Sequence, residues 1–169
     1  MLKEKVKKLV KDVRNAIRDR AVIYYYIYEA LKEEVGKKKA VKIMKDSVYR
    51  RGEDHAADYV NSGEPINIAS LADKFVKYSP ARGKIFHPYI KEITLKTTDL
   101  VMGKCPLVEA WRKMGLDNEE VELLCDIANQ IDYGKYEKLG YSLKIKETIA
   151  KGNLCCLLQV SPKVKKTKK

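Results

Sequence analysis

The residues able to do chemistry in this chain of 169 residues gather late: all four cysteines lie between Cys105 and Cys156. Cys105 precedes Pro106, and proline suits the first position of a helix, so the thiol falls at a helix N-cap. Unpaired amides and the helix dipole favour an anion there. We therefore expect a lowered thiol pKa and a thiolate able to bind metal or attack an electrophile. Cys125 falls on the stripe Val121, Leu124, Cys125, Ala128, Ile131 of a later helix and should point inward. Cys155 and Cys156 are neighbours on a strand, where successive side chains face opposite ways, so at most one can face a pocket. Cys156 shares its face with Leu154, Leu158 and Val160, and is the one expected to converge with Cys105 and Cys125.

If the three sulfurs met, they could hold Zn²⁺, with His55, His87 or water as the fourth ligand. The separations of 20 and 31 residues match no compact zinc ribbon. Packing as small buried hydrophobes accounts for Cys125, Cys155 and Cys156 equally well. Three thiolates also leave the site negatively charged and weak as a Lewis acid, and closure by a histidine would make it structural. Three-cysteine zinc sites nevertheless activate water in deaminases, where a nearby Glu moves the protons. The acids available for that role here are Glu147, Asp126 and Asp132, each of which also reads as a solvated surface carboxylate. His55 lies on an apolar stripe, where a lone histidine is more often a hydrogen-bonded core residue. Gly52 shares that stripe, and its missing side chain would let a backbone or a ligand come close. Trp111, the only tryptophan, faces inward beside the Cys105 helix start, and with Gly52 it is a candidate ligand contact. No Ser-His-Asp order, phosphate-binding glycine loop or H-E-x-x-H pattern occurs.

These residues need elements to position them. Apolar spacing of three and four predicts a long helix over 3–35, ended by Gly36, and a second over 37–61. A shorter helix follows at 66–79. The alternation from Glu92 to Thr98 predicts a strand, with 84–90 as its hairpin partner or an edge strand. Cys105-Pro106 starts a fourth helix ended by Gly115. Asp117-x-x-Glu120 resembles a capping box and starts a fifth, closed by Tyr133-Gly134. Residues 141–148 and 154–160 then form a hairpin. The fold class is α+β: long N-terminal helices on a small antiparallel sheet with a C-terminal β-hairpin. We expect one domain over 1–160 and a basic disordered tail over 161–169.

The formal net charge is +12, but residues 1–20 carry eight Lys/Arg against three acids, and 161–169 carry five lysines. With the charge at the ends and no basic stripe interleaved with aromatics, nucleic acid is disfavoured as a partner. No apolar run is long enough to span a bilayer and the start lacks a continuous apolar segment, so we expect a cytoplasmic protein with no membrane partner. In that compartment cysteines read as thiols, metal ligands or reactive groups before disulfides. Lys and Glu richness with two Gln is compatible with a thermophilic source. The run from Ile23 to Tyr28 makes the first helix apolar on most sides, and a homodimer through these helices is expected.

One resemblance bears on the site. Cys105-Pro106-Leu107, Trp111, Gly115-Leu116, Glu119-Glu120, Leu124-Cys125, Asp132 and Thr148-Ile149-Ala150-Lys151-Gly152 with Cys156 resemble the L-2-amino-thiazoline-4-carboxylate hydrolase-like family. Tyr49-Arg50-Arg51-Gly52 resembles its helical N-terminal region. Glu147-x4-Gly152-x3-Cys156 is similar to the vinyl-4-reductase domain, with Thr148 where a cysteine is usual there. The resemblance implies a small-molecule pocket with Cys105, Cys125 and Cys156 as its cysteines and a bound metal as cofactor; from the residues themselves we expect that metal to be zinc, with His55 as a further ligand. It also implies an enzymatic alternative, the opening of a small cyclic C–N/C–S compound; for it the residues themselves offer Cys105, Asp132 and Glu147 as candidate catalytic groups.

Overall fold

The computed structural model describes residues 1–61, 63 and 65–163. Helix α1 (Leu2–Val35) turns at Gly36, whose φ of 80° suits glycine, into helix α2 (Lys37–Val60). Residues 1–9 of α1 are exposed, while Ile17, Ala21 and Tyr28 are buried against the body. Helix α3 (Ile68–Lys77) starts at a capping box formed by Asn67 and Ser70.

Strands β1 (Pro88–Ile93) and β2 (Thr98–Met102) differ from the sequence expectation. The alternating stretch around Leu95 is the hairpin turn, and Leu95 is fully exposed. Thr94 makes the turn: its Oγ1 accepts the amides of Lys96 and Thr97, and its own amide donates to the Thr97 carbonyl. Alternation of Thr and Lys with apolar residues therefore marked a turn here, while the real strand β2 carries Leu100 and Val101 buried on both its faces.

Helix α4 (Pro106–Lys113) has Cys105 as N-cap, and α5 (Asn118–Ala128) begins at the Asp117/Glu120 capping box. A one-residue interruption at Asn129, itself in helical backbone, then separates off a further helix, α6 (Gln130–Lys138), so Tyr133-Gly134 lies inside a helix and closes none. Gly134 is there because α2 comes against it: a Cβ on Gly134 would lie 2.1 Å from the Tyr49 carbonyl oxygen, and one on Gly52 would lie 2.2 Å from that of Ile131. The two glycines let α2 and α6 cross backbone to backbone.

Strand β3 (Tyr141–Glu147), a 3-10 turn (Ile149–Lys151) and strand β4 (Cys156–Pro162) complete the sheet, antiparallel throughout in the order β1-β2-β4-β3. Leu154 stands 97% exposed before β4 begins and does not share the face of Cys156. β4 runs on to Pro162, and the Lys163 amide donates to the Gly140 carbonyl. Of the segment expected as a tail, residues 164–169 lie outside the described residues.

The architecture is α+β, with two cores. One, holding Ile17, Ala21, Met44, Trp111, Leu124 and Cys125, joins α1, α2, α4 and α5. The other, holding Tyr59, Leu71, Phe75, Tyr136, Leu158 and Val160, joins α3 and α6 to the sheet. Among the described residues no helix is long and apolar enough to cross a membrane.

Candidate functional site

A cavity of about 240 Å³ borders both cores. Its walls are mostly apolar: Trp111 and Leu107 from α4, Phe75 from α3, Ile131 from α6, Ile145 and Leu158 from the sheet. The turn segment after α3 adds Pro80 and Phe86, with Pro88 at the start of β1. That segment is held in an uncommon backbone, with Ala81, Arg82 and His87 at φ of 51°, 53° and 50°. Hydrogen bonds from Gly103 N–H to the His87 carbonyl and from Lys104 N–H to the Phe86 carbonyl pin it to the approach to Cys105. Exposed lining residues, Arg20, Asp58, Tyr78 and Pro80, mark the rim.

Cys105, Cys125 and Cys156 all line this cavity and Cys155 does not. Each arrives by a separate device. Cys105 is placed by the N-cap of α4 and Cys125 by the buried stripe of α5. Cys156 is placed by its pairing with Met102 across β2 and β4, with its sulfur accepting the Ile149 amide at 3.4 Å. Thr148 supports that arrangement by capping the 3-10 turn, its Oγ1 accepting the Lys151 amide at 3.3 Å.

The thiols are neutral. Burial pushes Cys125 up to about 12, with Cys105 and Cys156 nearby adding to the shift, and burial pushes Cys156 up to about 11. Cys105 is also raised by burial, against the expectation of a lowered value. The Leu107 and Val108 amides do pull it down, but the sulfur makes no regular capping bond and loss of water outweighs them. Among the described residues no group of three or more His, Cys, Asp or Glu side chains stands together as a metal-binding set. The expected Zn²⁺ ligands Cys105, Cys125, Cys156 and His55 share a cavity without standing together as such a set, and no step below runs through a metal.

His55 lines the cavity, and its pKa is lowered by burial and by Arg51 and Lys135 nearby, so it presents a neutral imidazole. Asp132 also lines it, bound to Lys135 at 2.7 Å with both side chains nearly buried. Burial pulls Lys135 down, yet Asp132, Tyr136 and Tyr59 outweigh it and the net shift is upward, so the ammonium stays charged. Its Nζ lies 4.6 Å from the Tyr136 ring centre and 5.4 Å from that of Tyr59. Trp111 is fully buried and donates its indole N–H to the Ala21 carbonyl at 2.7 Å, which leaves the cavity its apolar ring. Glu147 is exposed and off the cavity, Asp126 pairs with Lys45, and His87 is an exposed turn residue. Gly52 meets the α6 backbone, the close approach its sequence position left open. Lys135 and Arg20 escaped sequence reasoning, because a cation within a helix gives no pattern that separates a cavity wall from a solvated face. Tyr59 falls on the inward stripe of α2 but carries no sign of a site.

The fold is similar to two solved structures. One is a trafficking protein particle complex subunit 3 from Naegleria fowleri covalently bound to palmitic acid, at TM-score 0.59 and 13% identity, covering 88% of this chain and 96% of that one. The other is the phenol-responsive sensory domain of the transcription activator PoxR with phenol, at TM-score 0.60 and 12% identity, covering 84% of this chain and 73% of that one. No curated protein matches the chain. The description L-2-amino-thiazoline-4-carboxylic acid hydrolase belongs to a family that matches residues 14–160, so with most of its length aligned the chain belongs to that family.

Proposed function

We propose that this domain binds a small, predominantly apolar molecule in the cavity beside Cys105, Cys125 and Cys156. The observation that carries the reading is the cavity itself: about 240 Å³ walled by Trp111, Leu107, Phe75, Ile131, Ile145 and Leu158, with its thiols neutral. Structures of the same fold are described with palmitic acid and with phenol, which supports an apolar or aromatic ligand here. Ligand recovery from the purified chain, by native mass spectrometry and organic extraction, tests the reading. Filling the cavity with Ala128→Phe should remove the recovered ligand while the fold persists. Equal recovery from that variant would end the proposal.

The enzymatic reading rests on the family and on His55 and Asp132 sharing the cavity with the thiols. In it His55, neutral and next to the cavity, takes the proton of a water that adds to the ring carbon, the ring C–N or C–S bond breaks, and His55 returns the proton to the departing nitrogen or sulfur. The thiols line the pocket without acting as thiolates. Incubation with L-2-amino-thiazoline-4-carboxylate, followed by chromatography for a ring-opened product, decides it: no turnover above a His55→Gln control leaves the domain a binding module. We further propose cytoplasmic residence, supported by four unpaired cysteines. A homodimer through α1 is proposed from Ile23, Tyr26 and Ile27, which stand 55%, 64% and 46% exposed. Sedimentation of a monomer at micromolar concentration would dismiss it.

A further inference from the structure

We propose that the first three turns of α1 form a docking surface for an anionic phospholipid bilayer. Leu2, Val6 and Leu9 recur at spacings of four and three, and so form one stripe along the helix. They are 77%, 40% and 62% exposed. The helix first meets the body beyond them, through Val10, Val13 and the Arg14 side chain, which donates to the Lys84 carbonyl. Lys3, Lys5, Lys7, Lys8 and Lys11 surround the stripe, and Glu4 is the one acid among residues 1–11. A helix of low overall hydrophobicity with an apolar stripe and a lysine-rich remainder is suited to lie in a lipid interface. Its apolar side chains enter the acyl boundary and its lysines meet anionic headgroups.

The charge selects this occupant over the others. A second copy would set lysine against lysine. Beyond Leu9 the stripe runs on through Val13 and Ile17, which pack against the body and so are closed to a second copy. Nucleic acid would pair with the lysines but leave Leu2, Val6 and Leu9 in water. Position along the helix adds a consequence. Arg20 is about five turns beyond Leu2 at 3.6 residues per turn, so it lies on the same side of α1. It is exposed on the cavity rim. The stripe and the cavity rim therefore share one side of α1.

The test uses the full chain and flotation with vesicles of phosphatidylcholine alone or with about 30 mol% phosphatidylglycerol. Binding should need the anionic lipid and weaken as salt is raised. Val6→Glu with Leu9→Glu should lower vesicle affinity by about tenfold or more, with an unchanged circular dichroism spectrum because these side chains are solvated. Leu95→Glu, at an exposed apolar residue elsewhere, should leave binding unchanged. Three results would each overturn the proposal. The first is no preference for anionic vesicles. The second is binding that survives in the double variant, which would assign it to other lysines. The third is self-association that the double variant abolishes while vesicle binding is absent, which would make a second copy the occupant.

Discussion

Gly52 of α2 faces the carbonyl oxygen of Ile131 in α6, so close that an added methyl carbon would lie 2.2 Å from it. Gly134 of α6 returns the relationship at the Tyr49 carbonyl. Neither oxygen belongs to a flexible side chain, so the helices would have to separate to admit a Cβ. Their crossing also sets Ile131, Asp132 and Lys135 against His55 and Tyr59 along the cavity wall. Gly52→Ala and Gly134→Ala should each destabilise the domain by about 3 kcal/mol or more, since overpacking here moves backbone. Urea unfolding monitored by Trp111 fluorescence measures it.

The Asp132–Lys135 pair predicts an asymmetry. With side chains only 13% and 10% exposed, removal of one partner leaves the other's charge buried. Lys135→Met or Asp132→Asn should cost about 3–5 kcal/mol, whereas the double change Asp132→Leu with Lys135→Met should recover much of that loss. A thermodynamic cycle of unfolding free energies gives the comparison.

The thiols should be slow. Relative to the ordinary value of 9.0, the rise to about 11 lowers the thiolate fraction of Cys156 at neutral pH by about a hundredfold. The rise to about 12 lowers that of Cys125 by about a thousandfold. Alkylation by iodoacetamide at pH 7, followed by peptide mass spectrometry, should find both sites nearly unlabelled in the folded chain and labelled in urea. Rapid native labelling of Cys125 would show that its sulfur is neither desolvated nor neutral.

His55 gives a pH dependence with a definite sign. Its folded pKa lies below the usual 6.5, so the folded state resists a proton that the unfolded chain accepts. Stability from this residue is present above about pH 6.5 and is lost as pH falls through the lowered value. Urea midpoints should therefore decline from about pH 7 toward pH 5, and His55→Gln should flatten that part of the curve.

The long helices were legible because one face of α1 and α2 repeats at helical spacing over many residues, and the Asp117/Glu120 box marked α5 by local chemistry alone. Around Leu95 the sequence misled. Alternation cannot distinguish a half-buried strand from a threonine-braced turn, because both place polar and apolar residues in succession. Gly134 misled for a different reason. Glycine usually ends a helix, but here a tertiary approach by Tyr49 sets its presence, and no local window contains that partner. The three cavity cysteines were nameable from stripe and strand parity. Their protonation was not, since the N-cap of Cys105 argues for an anion while its burial, decided by distant elements, reverses the sign.

The cavity is walled by residues from Arg20 to Leu158, drawn from all six α-helices and all four strands. No single segment can therefore peel away and leave the site whole, and a bound molecule acts as a keystone across most of the chain. Occupancy should raise the free energy of complete unfolding by about 2.7 kcal/mol when free ligand is a hundredfold above Kd. Amide protons that exchange only through global opening, in α5 and β4 alike, should slow by one common factor.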